Sequence, residues 1–133
     1  MPTLSDQERE LFEEPNFVHV ATLDEDGFPH ASPVWVSLDG DDILINSAEG
    51  REKVDHVRRD DRIGLSVHRQ ENPYHNVSVR GRVVEVTHEG ADAHIDALAK
   101  KYLGEDTYPY RQPDEQRVII RIRPERVKSL FMG

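Results

Sequence analysis

The side chains best suited to binding an anion lie in residues 47–53, between a predicted strand and the start of a predicted helix. Free backbone N–H groups at a helix N-terminus bind anions. Arg51 and Lys53 add two positive charges beside those groups, and Ser47 can donate a hydroxyl hydrogen bond. Arginine offers two parallel donors to a phosphate, and lysine offers a compact charge. The segment is therefore either a phosphate site or a solvated helix end whose cations pair with its two glutamates.

The overall charge of the chain makes this basic segment unusual. The 133 residues include 26 acidic and 17 basic side chains, which gives a formal net charge of −9. Nucleic-acid binding is not expected, because neutralising phosphates requires a surplus of lysine and arginine. No apolar run approaches the roughly 20 residues of a membrane span, and the N-terminal residues lack the features of a secretory signal. We expect one soluble, cytoplasmic domain over residues 1–133.

Several other chemistries lack the residues that they need. The chain has no cysteine, which excludes disulfides, thiolate nucleophiles and zinc–thiolate sites. Its seven histidines form neither an HxH nor an HExxH pattern, so no metal site is expected. The GxSxG, GxGxxG and P-loop motifs are absent as well. His30, Tyr74 and His75 could donate protons in principle, but the sequence assigns no catalytic residue.

A predicted strand over residues 29–38 contains Pro29 and Pro33. Proline cannot donate a hydrogen bond to a sheet, so this strand lies at an edge or is locally unpaired. Its free backbone groups could contact a planar heterocycle. The alternative is an edge strand that its prolines protect from further pairing.

Alternating apolar residues and turn signals indicate a mainly β domain. Strands are predicted for residues 16–23, 29–38, 42–47, 62–68, 77–86 and 116–123, and helices for residues 5–14, 51–59 and 89–103. Turns at residues 24–27 and 39–41 connect the first three strands closely, so the sheet is predicted to be antiparallel. The alternation slips near Gly81, which predicts a β-bulge there. Six strands with short helices predict a small closed barrel.

A set of short motifs, taken in order along the chain, resembles the pyridoxamine-phosphate-oxidase-like split β-barrel flavoproteins. Within that family the chain looks most like the small enzymes that depend on coenzyme F420, a deazaflavin. The matching segments cover nearly the whole chain: residues 18–23, 26–30, 33–35, 43–47, 50–53, 57–62, 79–81, 101–102, 117–120 and 124–127. The resemblance implies a six-stranded antiparallel split barrel with short helices. It also implies a homodimer with two cofactor sites at its interface.

The resemblance further implies which residues bind the cofactor. The segment after the third strand would lie near the cofactor phosphate: Gly50, Arg51 and Lys53. The second and third strands would lie along the cofactor ring with four residues: Pro33, Val34, Asn46 and Ser47. The partner subunit would close the site with two residues: Tyr74 and Arg117. From residue type alone, Tyr74 is more simply a half-buried barrel residue and Arg117 a surface cation.

The activity that the resemblance implies is an F420-dependent reduction of a small organic acceptor by hydride transfer, in which the cofactor carries the chemistry. FMN also presents a ring and a phosphate, so the chain could instead be an FMN-binding oxidoreductase. It could also be a non-catalytic flavin, deazaflavin or haem-binding protein, or a cofactor-free dimerisation module. The chain stops soon after residues 124–127, before the region that true pyridoxamine-phosphate oxidases use to hold the pyridoxal ring. Vitamin B6 oxidation is therefore not expected.

Two irregular segments are expected to line the pocket for the acceptor, residues 71–75 and 104–115. The second contains Tyr108 and Tyr110, which could stack on a flat acceptor or pack within the protein.

Overall fold

The computed structural model describes residues 2–133. Its strands form one curled sheet of seven antiparallel strands. The strands are β1 (Val18–Leu23), β2 (Pro29–Val34), β3 (Val36–Asp39), β4 (Asp42–Ala48), β5 (Arg62–Arg69), β6 (Asn72–Thr87) and β7 (Arg117–Phe131). Their order across the sheet is β2-β1-β5-β6-β7-β4-β3. The consecutive strands β2 and β3 thus lie at opposite edges of the sheet, which forms a half-barrel.

The structure has seven strands in a half-barrel, so the predictions of six strands and of a closed barrel are both wrong, and both fail at residues 29–38. Residues 29–38 form two strands instead of one, and Trp35 between them belongs to neither. Val34, Trp35 and Val36 all favour extended structure, so the local sequence does not mark the break. The backbone can leave the sheet because the Tyr102 hydroxyl accepts the Val36 N–H at 3.2 Å. β2 pairs only with β1, so the two prolines do lie on an edge strand, as predicted.

The last two strands are longer than predicted, and the expected bulge lies between them. The register of β6 against β7 shifts between Arg80 and Gly81, which confirms the bulge. A Cβ atom at Gly81 would lie 2.7 Å from the carbonyl oxygen of Arg123. Only glycine therefore fits this close approach of the two backbones.

Three helices cover the sheet: α1 (Asp6–Glu13), α2 (Glu52–Arg59) and α3 (Ala91–Leu103). Ser5 and Glu8 form a capping box that fixes the start of α1. Helix α1 buries Leu11 and Phe12 in a core built from the inward-facing apolar residues of the strands. Helix α3 buries Ile95 and Leu98 and packs against β4 and β7. No helix within residues 2–133 is long and apolar enough to cross a membrane.

Candidate functional site

A cavity of about 220 Å³ opens beside the break at Trp35. It lies between the end of β2, the end of β4, the start of β7, and helices α2 and α3. Seven of the nine residues predicted for a cofactor site line it: Pro33, Val34, Asn46, Ser47, Arg51, Lys53 and Arg117. Gly50 precedes Arg51 in the turn that leads into α2, and Tyr74 is not among the lining residues. The geometry thus brings most of the predicted residues together, while their role in cofactor binding stays a prediction.

Three cations meet at one end of the cavity. Within residues 2–133, neither Arg51 nor Lys53 has a carboxylate close enough to form an ion pair. Burial lowers the pKa of Lys53, and the positive charges of Arg51 and Arg117 lower it further. This end of the cavity therefore holds positive charge that the described residues leave largely unneutralised.

The alternative in which Arg51 and Lys53 pair with the neighbouring glutamates is wrong. Both carboxylate oxygens of Glu49 are bound by Arg58, at 2.5 and 2.7 Å. The hydrogen bonds from Arg58 hold the pKa of Glu49 below its usual value. Glu52 approaches only His30 among the basic residues described, at 3.7 Å. The two glutamates are thus turned away from the cations of the cavity.

Backbone donors lie beside the same cations at the start of α2. Arg51 is the N-cap residue, and its side chain makes no capping hydrogen bond. Within the described part of the chain, the N–H groups of Glu52 and Lys53 have no protein acceptor. Gly50 adopts φ +89°, which allows the tight turn from β4 into the helix. The predicted combination of free N–H groups, cations and the Ser47 hydroxyl is therefore present in one place.

Arg117 is a buried residue and not a surface cation. Its side chain is only 6% exposed. Its Nε donates to Asn46 Oδ1 at 2.8 Å, and its Nη1 lies 3.1 Å from Glu115 Oε1. The guanidinium also lies over the ring of Tyr108, 5.2 Å from the centroid. Within residues 2–133, Nη2 has no partner, and Arg117 lines the cavity of its own chain without help from a second subunit.

A half-buried histidine, His94, contacts the side-chain amide of Asn46. Asn46 Nδ2 donates to the carbonyl oxygen of Ala91 at 3.0 Å and lies 3.0 Å from His94 Nδ1. The other ring nitrogen of His94 is 2.9 Å from Ser37 Oγ. Burial lowers the pKa of His94 to about 4, and the nearby charge of Arg117 contributes to the same shift. His94 is therefore neutral at pH 7.

Aromatic side chains also line the cavity, and Tyr108 among them contacts Arg117. Trp35 stacks on Tyr102 with ring centroids 5.2 Å apart, and its edge meets Tyr108 at 6.0 Å. Tyr110 contacts Tyr108 edge to face. Phe17 and Tyr110 remain largely exposed although they line the cavity. The cavity thus combines three cations with aromatic side chains, and two of its rings are exposed.

Sequence reasoning missed several residues of this site: Phe17, Trp35, His94, Ile95 and Leu98. For those on α3 a signal exists, because residues 91, 95, 98 and 102 define one face of the helix and residue 94 lies on it. For Phe17 there is no such signal, since it only precedes a strand.

Tyr74 lies away from the cavity. It belongs to β6 and is 65% exposed, so the half-buried interpretation is wrong. The segment of residues 71–75 is not irregular as predicted, because all but its first residue belong to β6, and it does not line the cavity. The segment of residues 104–115 does line it. A role for Tyr74 in the site of a partner subunit stays a prediction.

A second, larger cavity of about 470 Å³ lies on the outer face of β1, β5 and β6. Two of its three arginines are already neutralised. Arg62 binds Asp60, and Arg82 binds Asp61 and Glu125. This cavity also lacks the aromatic residues of the first, so it is the weaker candidate. Within residues 2–133, no group of three or more histidine and acidic residues is placed to hold a metal ion.

Comparison with known proteins identifies the class of this fold and site. The model of the Pyridoxamine 5'-phosphate oxidase family matches residues 4–131, so the chain belongs to that family. Members of this family are often oxidoreductases, and the fold binds flavin-type cofactors. None of the curated proteins matches this chain.

Solved structures share the fold over most of its length. One described as an F420 reductase is 28% identical, with a TM-score of 0.80, and the match covers 90% of this chain and 94% of that one. A conserved hypothetical protein from Mycobacterium tuberculosis is 22% identical, with a TM-score of 0.75 over 95% of this chain and 84% of the other. General Stress Protein 26 from Bacillus anthracis is 12% identical, with a TM-score of 0.71 and coverage of 94% and 92%. The last two show the fold alone.

Proposed function

We propose that this protein is an oxidoreductase that binds coenzyme F420 and passes a hydride from the reduced deazaflavin to a small organic acceptor. The observation that carries the proposal is the combination, in one cavity, of three cations and several aromatic side chains. The similarity to a structure described as an F420 reductase supports the choice of cofactor.

The residues present fit a cofactor that has a phosphate and a flat ring. Arg51 and Lys53 have no carboxylate partner within residues 2–133, although the chain carries a net charge of −9. Lys53 is half-buried, so leaving its charge without a counter-ion costs free energy that a bound anion would recover. The backbone donors at the start of α2 would bind the same anion. Pro33, Val34, Asn46 and Ser47 would then lie along the ring.

When bound, the deazaflavin supplies two-electron hydride chemistry. The residues of this chain hold and orient it. Arg51 and Lys53 fix the phosphate, and Arg117 presents its free Nη2 edge to an electronegative group of the cofactor or the acceptor. Trp35 and Tyr108 form an apolar wall that excludes water from one side of the cavity. No side chain has to act as a nucleophile.

The size of the cavity supports assembly as a homodimer. Ordinary pockets for cofactor-sized ligands span roughly 300–1,000 Å³, and this cavity holds about 220 Å³. Exposed Phe17 and Tyr110 at its margin offer apolar surface to a second subunit. A second copy of the chain would complete the site, with Tyr74 as the residue predicted to reach it.

Titration of F420 and of FMN into the same apo protein, followed by fluorescence, tests the proposal. Tight binding of F420 and weak binding of FMN is the expected result. The double variant Arg51→Ala/Lys53→Ala should lose most of this affinity and keep its far-ultraviolet circular dichroism. Tight FMN binding alone would replace the proposal with a flavin-dependent oxidoreductase. Binding of neither would overturn it.

A further inference from the structure

Four side chains from β3, α3, β4 and β7 form one continuous run of hydrogen bonds that ends at the cavity. Arg117 Nε donates to Asn46 Oδ1 at 2.8 Å. Asn46 Nδ2 donates to the carbonyl oxygen of Ala91 and faces His94 Nδ1, each at 3.0 Å. His94 Nε2 lies 2.9 Å from Ser37 Oγ. Arg117, at one end of this run, lines the cavity, and its Nη2 group has no partner within residues 2–133.

The neighbours of Asn46 settle the direction of every bond in the run. A guanidinium can only donate, and a carbonyl oxygen can only accept. Asn46 must therefore turn its oxygen to Arg117 and its NH₂ group to Ala91 and His94. His94 Nδ1 then accepts, so in the neutral ring the proton is on Nε2 and is donated to Ser37 Oγ.

We infer that His94 is a positioning residue: acting through Asn46, it fixes the guanidinium of Arg117 so that its free edge faces an anionic group bound in the cavity. The inference rests on the proposed function only in taking the cavity as an anion site, and it holds for F420, FMN or another anion. If His94 carried a second proton, Nδ1–H would face the NH₂ group of Asn46. The amide would have to turn, and Arg117 Nε would lose its acceptor.

The surrounding charges keep His94 in the neutral form. Arg117, across the run, is the charge that acts on it, and together with burial it lowers the pKa of His94 to about 4. Glu115 faces Arg117 and not the histidine. On the same helix as His94, two aspartates are held by Arg111: Asp92 and Asp96.

Sulfate is a suitable probe, because its charge stays constant across the pH range of the titration. We expect wild-type protein at pH 7 to bind sulfate in the cavity, as followed by chemical shifts in nuclear magnetic resonance spectra. The variant His94→Leu should bind it about fivefold more weakly. The wild-type affinity should also fall as the pH approaches 4, and the difference between wild type and variant should disappear there.

His68→Leu is the matched control, since His68 is an exposed histidine on β5. It should bind sulfate like the wild type. Should His94→Leu fail to fold, Ser37→Ala removes only the far end of the run and should weaken binding by a smaller factor. Wild-type sulfate affinity at pH 7 in His94→Leu would overturn the inference.

A direct measurement on the wild-type protein needs no variant. The ¹⁵N shifts of the His94 ring report which nitrogen carries the proton. We expect Nε2–H at pH 7, and Nδ1–H would overturn the inference. A protein that shows this tautomer and the sulfate behaviour but binds neither F420 nor FMN would contradict the proposed function and leave the role of His94 intact.

Discussion

Arg58 binds both carboxylate oxygens of Glu49, at 2.5 and 2.7 Å, in a side-by-side pair that joins the end of α2 to the turn before it. The pair lies outside the cavity, yet it determines the charge inside. Glu49 is two residues from Arg51, and Arg58 holds it away from the anion site together with His88, whose Nε2 lies 2.9 Å from Glu49 Oε2. Arg58, which does not contact the ligand, is thus expected to keep the carboxylate of Glu49 away from the anion site.

Replacing Arg58 by alanine should therefore weaken anion binding at a distance. With only His88 left to hold it, Glu49 would compete with the ligand for Arg51. An exposed pair of this kind corresponds to a loss of at most about threefold in affinity. Sulfate titration of Arg58→Ala measures the loss. Arg59→Ala removes the same charge at the next position without releasing Glu49. Equal losses in the two variants would contradict the prediction.

The half-buried His94 should make the folded state sensitive to acid. Its pKa is lowered from 6.5 to about 4, so between these values the unfolded chain binds a proton that the folded chain does not. This contribution to stability is fully present above pH 6.5 and is lost as the pH falls towards 4. The loss amounts to at most about 3 kcal/mol.

Urea unfolding of wild type and His94→Leu at pH 7 and at pH 4.5 measures this contribution. The wild type should lose more free energy of unfolding between the two pH values than the variant does. Carboxylates titrate in both proteins, and their effect cancels in the comparison. The same loss in both would show that His94 does not contribute.

Gly81 and Gly64 offer a matched pair of glycine substitutions in neighbouring strands. A Cβ atom at Gly81 would lie 2.7 Å from a backbone oxygen, whereas at Gly64 the nearest atom is the Ala21 Cβ at 3.9 Å. We expect Gly81→Ala to cost about 2 kcal/mol of unfolding free energy. Gly64→Ala should be neutral or stabilising by up to about 1 kcal/mol. Thermal or urea unfolding of both variants checks the pair, and similar stabilities would contradict the prediction.

Tyr102 holds the break between β2 and β3 in place through its hydroxyl group. That group donates to the carbonyl oxygen of Asn16 at 2.6 Å and accepts the N–H of Val36 at 3.2 Å. Tyr102→Phe leaves both backbone groups unpaired and should cost about 2 kcal/mol. It should also change the emission of Trp35, the single tryptophan, which stacks on the same ring.

Tyr110→Phe is the control for this substitution, because Tyr110 is exposed and makes no hydrogen bond through its hydroxyl within residues 2–133. Urea unfolding and tryptophan emission should both stay near the wild-type values. An unchanged stability in Tyr102→Phe would show that water replaces the lost partner.

The sequence allowed good predictions wherever the cause was local. Two prolines identified the edge strand, and the slip at Gly81 identified the bulge, because each effect depends on residues next to one another. The break at Trp35 could not be predicted, since its cause is a hydroxyl 66 positions away in α3. β7 continues through Pro124 because it pairs with β6 beyond the bulge at Gly81, which again depends on a distant strand.

The same distinction holds for the site. The sequence predicts that Arg51, Lys53 and Ser47 lie together, because they share one strand-to-helix turn. The sequence does not predict the burial of Arg117, because the residue that accepts its hydrogen bond, Asn46, lies 71 positions earlier. The sequence leaves open whether Arg51 and Lys53 pair with the neighbouring glutamates. In the structure Glu49 is bound by Arg58 instead.

Trp35 connects the strands at the two edges of the sheet, so the walls of the cavity come from strands that are far apart in the sheet order. One wall belongs to β2 and the other to β4 and β7, so the walls are joined along the sheet only through β1, β5 and β6. Partial unfolding of those middle strands would separate the walls, and no fragment of the chain would retain the pocket. A ligand bound there should therefore raise the midpoint of global unfolding with its concentration. Resistance to proteolysis of the whole chain should increase in parallel.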